Sequence, residues 1–200
     1  MNRNHPPLDW RICKTELKKL VRDDTKILDV GCNTGEKAHY LFTEGNLVLC
    51  DLERLLEYRF DNFVQTSAVK LPFADESFDV VTALHVIEHI KEDKAVIDEA
   101  YRVLKADGVM LLVTPNKNRP SILYTILLKL FRRTKLGYPM NADHVFEYGR
   151  KDLERLLGGS LFRDFAVSPI YARFSRLTRL DVLCDQYLVV AKKVGEKCAS

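Results

Sequence analysis

The sequence lacks the signatures of several protein classes. Its five cysteines are scattered and never form a Cys-x-x-Cys pair, which argues against a disulfide framework and against a zinc knuckle. No apolar run approaches the roughly 20 residues that span a bilayer, and the first residues contain no apolar signal region. We therefore expect a cytoplasmic protein, with membrane association limited to surface contact.

An excess of charge of one sign is also missing. The chain has 31 Lys and Arg against 28 Asp and Glu, a formal net charge of +3, so total charge identifies no partner. Hydrophobic residues make up 46% and charged residues 30%, which is the balance of a globular domain. A chain of 200 residues is long enough for one substantial core, and we predict a single domain over residues 1–200.

Short apolar strands alternate with helical segments along the chain. This alternation predicts an α/β fold with three layers, a mostly parallel Rossmann-like sheet and helices on both faces. Ligands of such sheets bind beyond the carboxyl ends of the strands. Asp9 is predicted to cap the N-terminus of the first helix. Gly108 is predicted to lie at the C-terminal end of the helix over 93–108. The predicted strands are 25–31, 46–51, 78–84, 109–116, 165–170 and 186–192, and the predicted helices are 9–22, 36–43, 85–90, 93–108 and 149–159.

A glycine turn follows the first predicted strand, in the sequence ILDVGCNTGE (27–36). Gly31 allows a sharp turn and close approach of a ligand to the backbone, and Gly35 allows the next helix to pack against the sheet. Asn33 is the non-glycine residue best able to adopt a left-handed conformation. The turn has neither the G-x-G-x-x-G spacing nor the G-K-[ST] ending of a phosphate loop, so it does not identify the ligand alone.

Asp51 ends the next predicted strand, twenty residues after Gly31. A carboxylate at this place can accept hydrogen bonds from both hydroxyls of a ribose. Nicotinamide dinucleotides and S-adenosylmethionine both contain that ribose. A nicotinamide-dependent dehydrogenase and an enzyme that uses S-adenosylmethionine are therefore both compatible with these two motifs.

A third motif separates the two ligands. The sequence LPFADESFDVVTALHVIEHI (71–90) resembles the LPF-x-D-x-SFD…EH block of class I S-adenosylmethionine-dependent methyltransferases. The glycine turn and Asp51 precede it in that family's order and spacing, and RVLKADGVMLLVTPN (102–116) resembles the family's following helix and strand. The resemblance covers 26–116 well and 143–192 loosely. It implies a Rossmann-like methyltransferase fold with S-adenosylmethionine as the cofactor.

The resemblance also implies which residues contact the cofactor. The methionine part would lie along the glycine turn, the ribose on Asp51, and the adenine near 67–69. Ser67 stands where the family commonly has an aspartate, which implies a weaker contact with the adenine and leaves a non-catalytic cofactor-binding protein as an alternative. The predicted cofactor-binding residues are Asp29, Gly31, Cys32, Asn33, Gly35, Asp51, Leu52, Ser67, Ala68, Val69, Leu84 and His85.

The candidate catalytic residues are Glu88, His89 and His144. A helix over 85–90 would place His85, Glu88 and His89 on one face, where they could act as a general base, bind a divalent metal, or brace the turn. The block resembles the ubiquinone-biosynthesis O-methyltransferases, in which an acidic residue, a Glu and a His are linked to a metal. Here the first of these is His85, so we predict no metal site. His144 is a second candidate base.

Residues 116–143 are predicted to form a variable, lid-like insert. Between Gly108 and Ala142 there are six basic residues and no acidic one, and 121–133 reads as a basic amphipathic helix with a wide apolar face. It could pack over the substrate, contact a membrane surface through 121–135, or contact nucleic acid, which the scarcity of interleaved aromatic residues disfavours. The predicted function is O-methylation of a small or lipophilic acceptor, with a nucleic-acid or tRNA methyltransferase as an alternative.

Overall fold

The computed structural model describes residues 6–43, 45–117, 145–170 and 184–195. Seven strands form one sheet in the order β3-β2-β1-β4-β5-β7-β6. The first five strands run parallel, whereas β7 is antiparallel to both β5 and β6. The strands are β1 (Lys26–Val30), β2 (Asn46–Asp51), β3 (Phe63–Gln65), β4 (Phe78–Leu84), β5 (Leu104–Pro115), β6 (Asp164–Ile170) and β7 (Gln186–Lys192).

Within the described residues, four α-helices cover the two faces of the sheet. They are α1 (Leu8–Leu20), α2 (Glu36–Leu41), α3 (Asp93–Val103) and α4 (Arg150–Gly158), and a 3-10 turn covers Ile87–His89. The apolar residues of α1 pack with one face of the central strands, and those of α3 and α4 pack with the opposite face. The prediction of an α/β fold with a mostly parallel sheet between two helical layers is confirmed.

The order of the strands determines where a ligand can bind. β1 lies in the middle, with β2 on one side and β4 on the other, so the chain leaves the carboxyl ends of β1 and β4 in different directions. A crevice forms where strand order reverses in this way, and ligands of open α/β sheets bind there. The glycine turn follows β1, and His85 follows β4.

Several predicted boundaries were wrong. The strand β3 was not predicted, because three residues are too few to produce a clear alternation of polar and apolar side chains. Helix α3 ends at Val103, and Gly108 lies inside β5 instead of after the helix. The register between β4 and β5 shifts between Phe78 and Val80, so residues around Gly108 form an irregular part of the strand. The predicted helix over 85–90 is a single 3-10 turn.

Asp9 is not the cap of the first helix. Helix α1 begins at Leu8 after Pro7, and Asp9 lies inside the first turn. The residue is 6% exposed, and its Oδ2 lies 3.0 Å from Nε2 of His85, which follows β4, instead of contacting the helix backbone. A buried carboxylate needs such a partner, because burial without one is strongly unfavourable.

Candidate functional site

A cleft of about 630 Å³ opens at the carboxyl ends of the central strands. It is bounded by the glycine turn after β1, the end of β2, the loop after β3 and the turn after β4. Its size is in the range of small-molecule and cofactor sites. The residues that line it include Gly31, Asn33, Lys37, Asp51, Leu52, Ser67, Ala68, Val69, His85, Val86, His89, Ile90, Lys91 and Val145.

The glycine turn has the left-handed conformations that its sequence predicts. The φ angles are 70° at Gly31, 50° at Asn33 and 79° at Gly35. The backbone N–H groups of Gly31 and Cys32 both donate to the carbonyl of Cys50 on β2, at 2.8 and 3.2 Å. A Cβ atom on Gly31 would lie 2.5 Å from a methyl group of Val86. Gly31 therefore lets the turn pass close to the wall formed by the β4 loop.

Asp51 connects the end of β2 to the glycine turn. Its Oδ2 accepts a hydrogen bond from the backbone N–H of Asn33, and its Oδ1 accepts one from that of Leu52, both at 2.7 Å. A carboxylate oxygen has two acceptor sites, so each oxygen retains capacity for a further donor from the cleft. The carboxylate is thus held in one orientation at the cleft, as recognition of a diol requires.

The loop after β3 provides the next part of the wall. Ala68 and Val69 contribute apolar surface, and the Ser67 hydroxyl accepts a long hydrogen bond of 3.4 Å from the backbone N–H of Val69. Leu52, which follows β2, also lines the cleft and is 64% exposed. A flat apolar group could lie between Leu52 and this loop.

Lys37 is a cleft residue that the sequence did not indicate. It lies in the first turn of α2, and its Nζ donates to the carbonyl of Leu84, the last residue of β4, at 2.5 Å. The ion pairs found among the described residues do not include Lys37. An ammonium has three donors, so two remain for an anionic group at the crevice between β1 and β4.

Asp29 lies in β1 behind the cleft and does not line it. It is 3% exposed, and its Oδ1 accepts a 2.6 Å hydrogen bond from the hydroxyl of Thr82 on β4. Burial raises the pKa of Asp29 from 3.8 to about 6, although the Thr82 hydrogen bond and Lys37 act in the opposite direction. At neutral pH the fold therefore contains a buried, ionised carboxylate that is unfavourable relative to the unfolded chain.

We expect Asp29→Asn to stabilise the protein at neutral pH. Between pH 3.8 and about 6 the folded chain binds more protons at Asp29 than the unfolded chain, so its contribution to stability falls as the pH rises through this range. A shift of this size corresponds to a gain of roughly 2 to 3 kcal/mol in unfolding free energy on neutralisation. Urea unfolding at pH 4 and pH 7 measures it, and the gain should be present at pH 7 and nearly absent at pH 4.

Asp79 provides a matched control at the opposite end of the sheet. Its hydrogen bond from Lys105 and that from the backbone N–H of Lys26 outweigh the effect of burial and lower its pKa. Asp79→Asn should therefore reduce stability at pH 7. A loss of stability in Asp29→Asn similar to that in Asp79→Asn would contradict the interpretation of Asp29.

The turn after β4 does not place His85, Glu88 and His89 on one exposed face, as the predicted helix would have done. His85 lines the cleft and has a φ of 62°. Glu88 is 1% exposed and lies behind the wall, where its Oε2 accepts a 3.2 Å hydrogen bond from the hydroxyl of Thr114. His89 is exposed and lines the cleft. Of the three predicted catalytic residues, His89 is thus the one at the cleft surface, and His144 lies outside the described residues.

His85, at the cleft wall, forms an ion pair with the buried Glu88. The distance from His85 Nδ1 to Glu88 Oε1 is 3.4 Å, and that from His85 Nε2 to Asp9 Oδ2 is 3.0 Å. Burial would lower the pKa of His85, but its contacts with Asp9 and Glu88 outweigh burial and raise it above 6.5. Burial would likewise raise the pKa of Glu88, yet the His85 contact lowers it. Within the described residues, no three metal-binding side chains are grouped to hold an ion.

The predicted cofactor residues divide into two groups. One group lines the cleft and the other lies behind its wall or under the turn. Those at the cleft are Gly31, Asn33, Asp51, Leu52, Ser67, Ala68, Val69 and His85. Those not on the cleft surface are Asp29, Cys32, Gly35 and Leu84. Within the second group, the carbonyl of Leu84 accepts a hydrogen bond from the cleft residue Lys37.

The predicted insert over 116–143 lies almost entirely outside the described residues, so its roles as a lid, a membrane contact or a nucleic-acid contact remain predictions. Where the described chain resumes, the backbone N–H groups of Val145 and Phe146 both donate to the carbonyl of Glu88. None of the described helices is long and apolar enough to cross a membrane.

Part of this chain is similar to known methyltransferases. Residues 28–112 match the methyltransferase domain family. The chain is 26% identical over 159 residues to a protein of Mycobacterium tuberculosis named "Probable S-adenosylmethionine-dependent methyltransferase", covering 72% of this chain and 51% of the relative. It is 34% identical over 109 residues to the ubiquinone/menaquinone biosynthesis C-methyltransferase of Rhizobium meliloti, covering 46% and 42%.

A similar fold occurs in the crystal structure of a SAM-dependent methyltransferase from Archaeoglobus fulgidus. The TM-score is 0.65 at 18% identity, and the match covers 92% of this chain and 94% of that one. The chain spans about half the length of the first curated relatives it matches. The predicted resemblance to class I S-adenosylmethionine-dependent methyltransferases is confirmed, and S-adenosylmethionine is the cofactor of this family.

Proposed function

We propose that this class I methyltransferase domain transfers the methyl group of S-adenosylmethionine to a hydroxyl oxygen of a small or lipophilic acceptor. The observation that supports this most is the cleft at the strand-order reversal, where Asp51 and the glycine turn lie side by side. A nucleoside with an intact ribose diol satisfies that arrangement.

The cleft residues fit the chemical parts of this cofactor. Asp51 would accept hydrogen bonds from the ribose hydroxyls, and the apolar surface between Leu52 and the loop 67–69 would hold the adenine. The backbone of the glycine turn at Gly31 and Asn33, which both line the cleft, would lie along the amino-acid part. Lys37 would then bind the carboxylate at the end of that part, since it is a cleft ammonium with donors remaining for an anion.

The cofactor, when bound, supplies a methyl group already activated on a sulfonium. The chain then has to orient the acceptor, exclude water and take up the proton of the hydroxyl. His89 is exposed at the cleft surface and is the candidate for that proton. Glu88 supports the wall from behind instead of contacting the acceptor, because it is almost completely buried.

The side of the cleft nearest the 3-10 turn supports an apolar acceptor. Ile90 and Val145 line it, and Val145 and Phe146 are 44% and 42% exposed. The Rhizobium relative is named as a C-methyltransferase of ubiquinone and menaquinone biosynthesis. A lipophilic acceptor is therefore compatible with the apolar lining and with that name, and carbon is the alternative acceptor atom. Incubation with methyl-labelled S-adenosylmethionine and a panel of phenols, quinols and lipid extracts tests the function.

The position of the transferred label decides between the acceptor atoms. A labelled O-methyl resonance in the product would support the proposal, and a labelled C-methyl resonance would replace oxygen with carbon. Label transfer to tRNA and to none of the small molecules would overturn the acceptor class. Binding of the cofactor with no transfer to any of these would favour the non-catalytic alternative.

Lys37→Met is expected to weaken binding of S-adenosylhomocysteine about 10- to 100-fold, because a hydrogen bond to a charged group contributes about 1.5 to 3 kcal/mol. Binding of 5′-methylthioadenosine, which lacks the amino-acid part, should change less than about twofold. Isothermal titration calorimetry of both nucleosides measures the difference. Lys91→Met is the matched control, since Lys91 also lines the cleft and is exposed. Equal losses for both nucleosides would contradict the assignment.

A further inference from the structure

His85 has an unusual backbone conformation at the wall of the cleft. Its φ of 62° is left-handed, a region that histidine adopts only occasionally. Residues held in such conformations cluster at functional sites, where the surrounding structure maintains them. The backbone N–H of His85 donates to the carbonyl of Val113 on β5, at 2.8 Å. The contacts of the side chain then determine where the ring lies.

Both ring nitrogens of His85 face a carboxylate. Nε2 lies 3.0 Å from Asp9 Oδ2, and Nδ1 lies 3.4 Å from Glu88 Oε1. A neutral imidazole has a single N–H and can donate to one of them, whereas the imidazolium can donate to both. The two carboxylates are 6% and 1% exposed, so each requires a compensating charge. The arrangement therefore fits a protonated ring.

Glu88 depends particularly on this ring. Its Oε1 is buried and accepts no hydrogen bond of standard geometry within the described part of the chain, so the ion pair with His85 is what compensates that oxygen. The other charged group that acts on the ring is Lys37 of α2, which disfavours protonation but has less effect than the two carboxylates.

The second carboxylate comes from a distant part of the sequence. Asp9 and His85 are 76 residues apart. Helix α1, which contains Asp9, also contacts α2, where the ammonium of Lys14 donates to the carbonyl of Tyr40 and lies 4.4 Å from the centre of its ring. His85 is the point where this helix meets the surface of the cleft.

We propose that Asp9 is a positioning residue for the cofactor cleft: it holds the protonated His85 ring in the cleft wall and thereby couples the docking of α1 to cofactor binding. The proposal depends on the proposed function, because it takes the cleft ligand to be S-adenosylmethionine. Loss of the His85 proton, or of the Asp9 charge, would free the ring and weaken both the wall and the attachment of α1.

The coupling has a defined dependence on pH. The pKa of His85 is raised above 6.5 in the folded chain by Asp9 and Glu88. A histidine with a raised folded pKa contributes stability that is fully present below the unfolded pKa and is lost as pH rises through the folded pKa. Affinity for the cofactor should therefore be highest on the acid side of that pKa and decline above it.

Asp9→Asn tests the proposal, because asparagine retains the shape and removes the charge. The pKa of His85 is measured by NMR in histidine-labelled protein, with His85→Gln used to assign its signal among the five histidines. S-Adenosylhomocysteine affinity is measured by calorimetry from pH 6 to pH 9. We expect a lower His85 pKa in Asp9→Asn, a pH profile shifted to lower pH by the same amount, and affinity about tenfold weaker at pH 7.5. Glu16→Gln on the same helix, where Glu16 pairs with Lys19 at the surface, should leave all three unchanged.

Three results would overturn the inference. One is an unchanged His85 pKa in Asp9→Asn. Another is a variant that unfolds at lower temperature but retains the affinity and pH profile of the wild type, which would make Asp9 merely structural. The third is wild-type affinity that does not vary with pH. Failure of the wild type to bind S-adenosylhomocysteine at any pH would instead overturn the proposed function, and the coupling with it.

Discussion

Asp51→Ala is expected to lower the affinity for S-adenosylhomocysteine by at least about 100-fold. Two hydrogen bonds from ribose hydroxyls to a carboxylate would be lost, and each contributes about 1.5 to 3 kcal/mol. The substitution also removes the acceptors of the Asn33 and Leu52 backbone N–H groups, so the end of the glycine turn loses its fixed orientation. Calorimetric titration measures the affinity.

Asp51→Asn separates the two contributions. The amide oxygen can still accept from one backbone N–H group, but the amide nitrogen cannot accept from a ribose hydroxyl. We expect an affinity between those of the wild type and Asp51→Ala. The 2′-deoxy and 3′-deoxy forms of the nucleoside provide the complementary test, since each should lose affinity in the wild type and lose little further in Asp51→Ala. Undiminished affinity in Asp51→Ala would contradict the placement of the ribose.

Gly31→Ala is expected to abolish measurable cofactor binding and to reduce the unfolding free energy by about 2 kcal/mol or more. The new Cβ would lie 2.5 Å from Val86, and alanine is also strained at a φ of 70°, at a cost of about 1 kcal/mol or more. Relief of the clash requires the turn or the β4 loop to move, and both are walls of the cleft. Urea unfolding and calorimetry measure the two effects.

Val86→Ala in the same chain should relieve part of this effect. It removes the two methyl groups nearest the new Cβ but leaves the left-handed backbone at position 31. The double variant should therefore recover some stability relative to Gly31→Ala and remain below Val86→Ala. Gly158→Ala is the matched control, because a Cβ there meets nothing within 4 Å and should change stability by less than about 1 kcal/mol. Wild-type stability and affinity in Gly31→Ala would contradict the argument.

The central part of the fold was predictable because its signals are local. The strands β1 and β4 are mainly apolar and almost entirely buried, and the residues that turn the chain after β1 are adjacent in the sequence. The left-handed conformations at Gly31 and Asn33 follow from residue types that tolerate them. The short strand β3 lacks such a signal, and it forms because Phe63–Gln65 pairs with the end of β2.

The sequence predicted the site residues that directly follow a strand. It did not predict the contacts between residues that are far apart in the sequence. Asp51 follows from its place at the end of β2, whereas the contact between Asp9 and His85 joins residues 76 positions apart. Glu88 and His89 are neighbours in sequence, and one is buried while the other is exposed, although their spacing from His85 predicted a shared face. Lys37 has no signal of its own, since a lysine early in a helix is usually a solvated surface residue.

Calorimetric titration of the wild-type chain with S-adenosylhomocysteine and, separately, with NADH tests the central claim most directly. Both ligands contain adenosine with a free ribose diol, so a difference in binding reports whether the cleft fits the homocysteine part or the nicotinamide nucleotide part. Binding of S-adenosylhomocysteine at one molecule per chain, with no heat from NADH, is the result that the account predicts. Binding of NADH without binding of S-adenosylhomocysteine would contradict it.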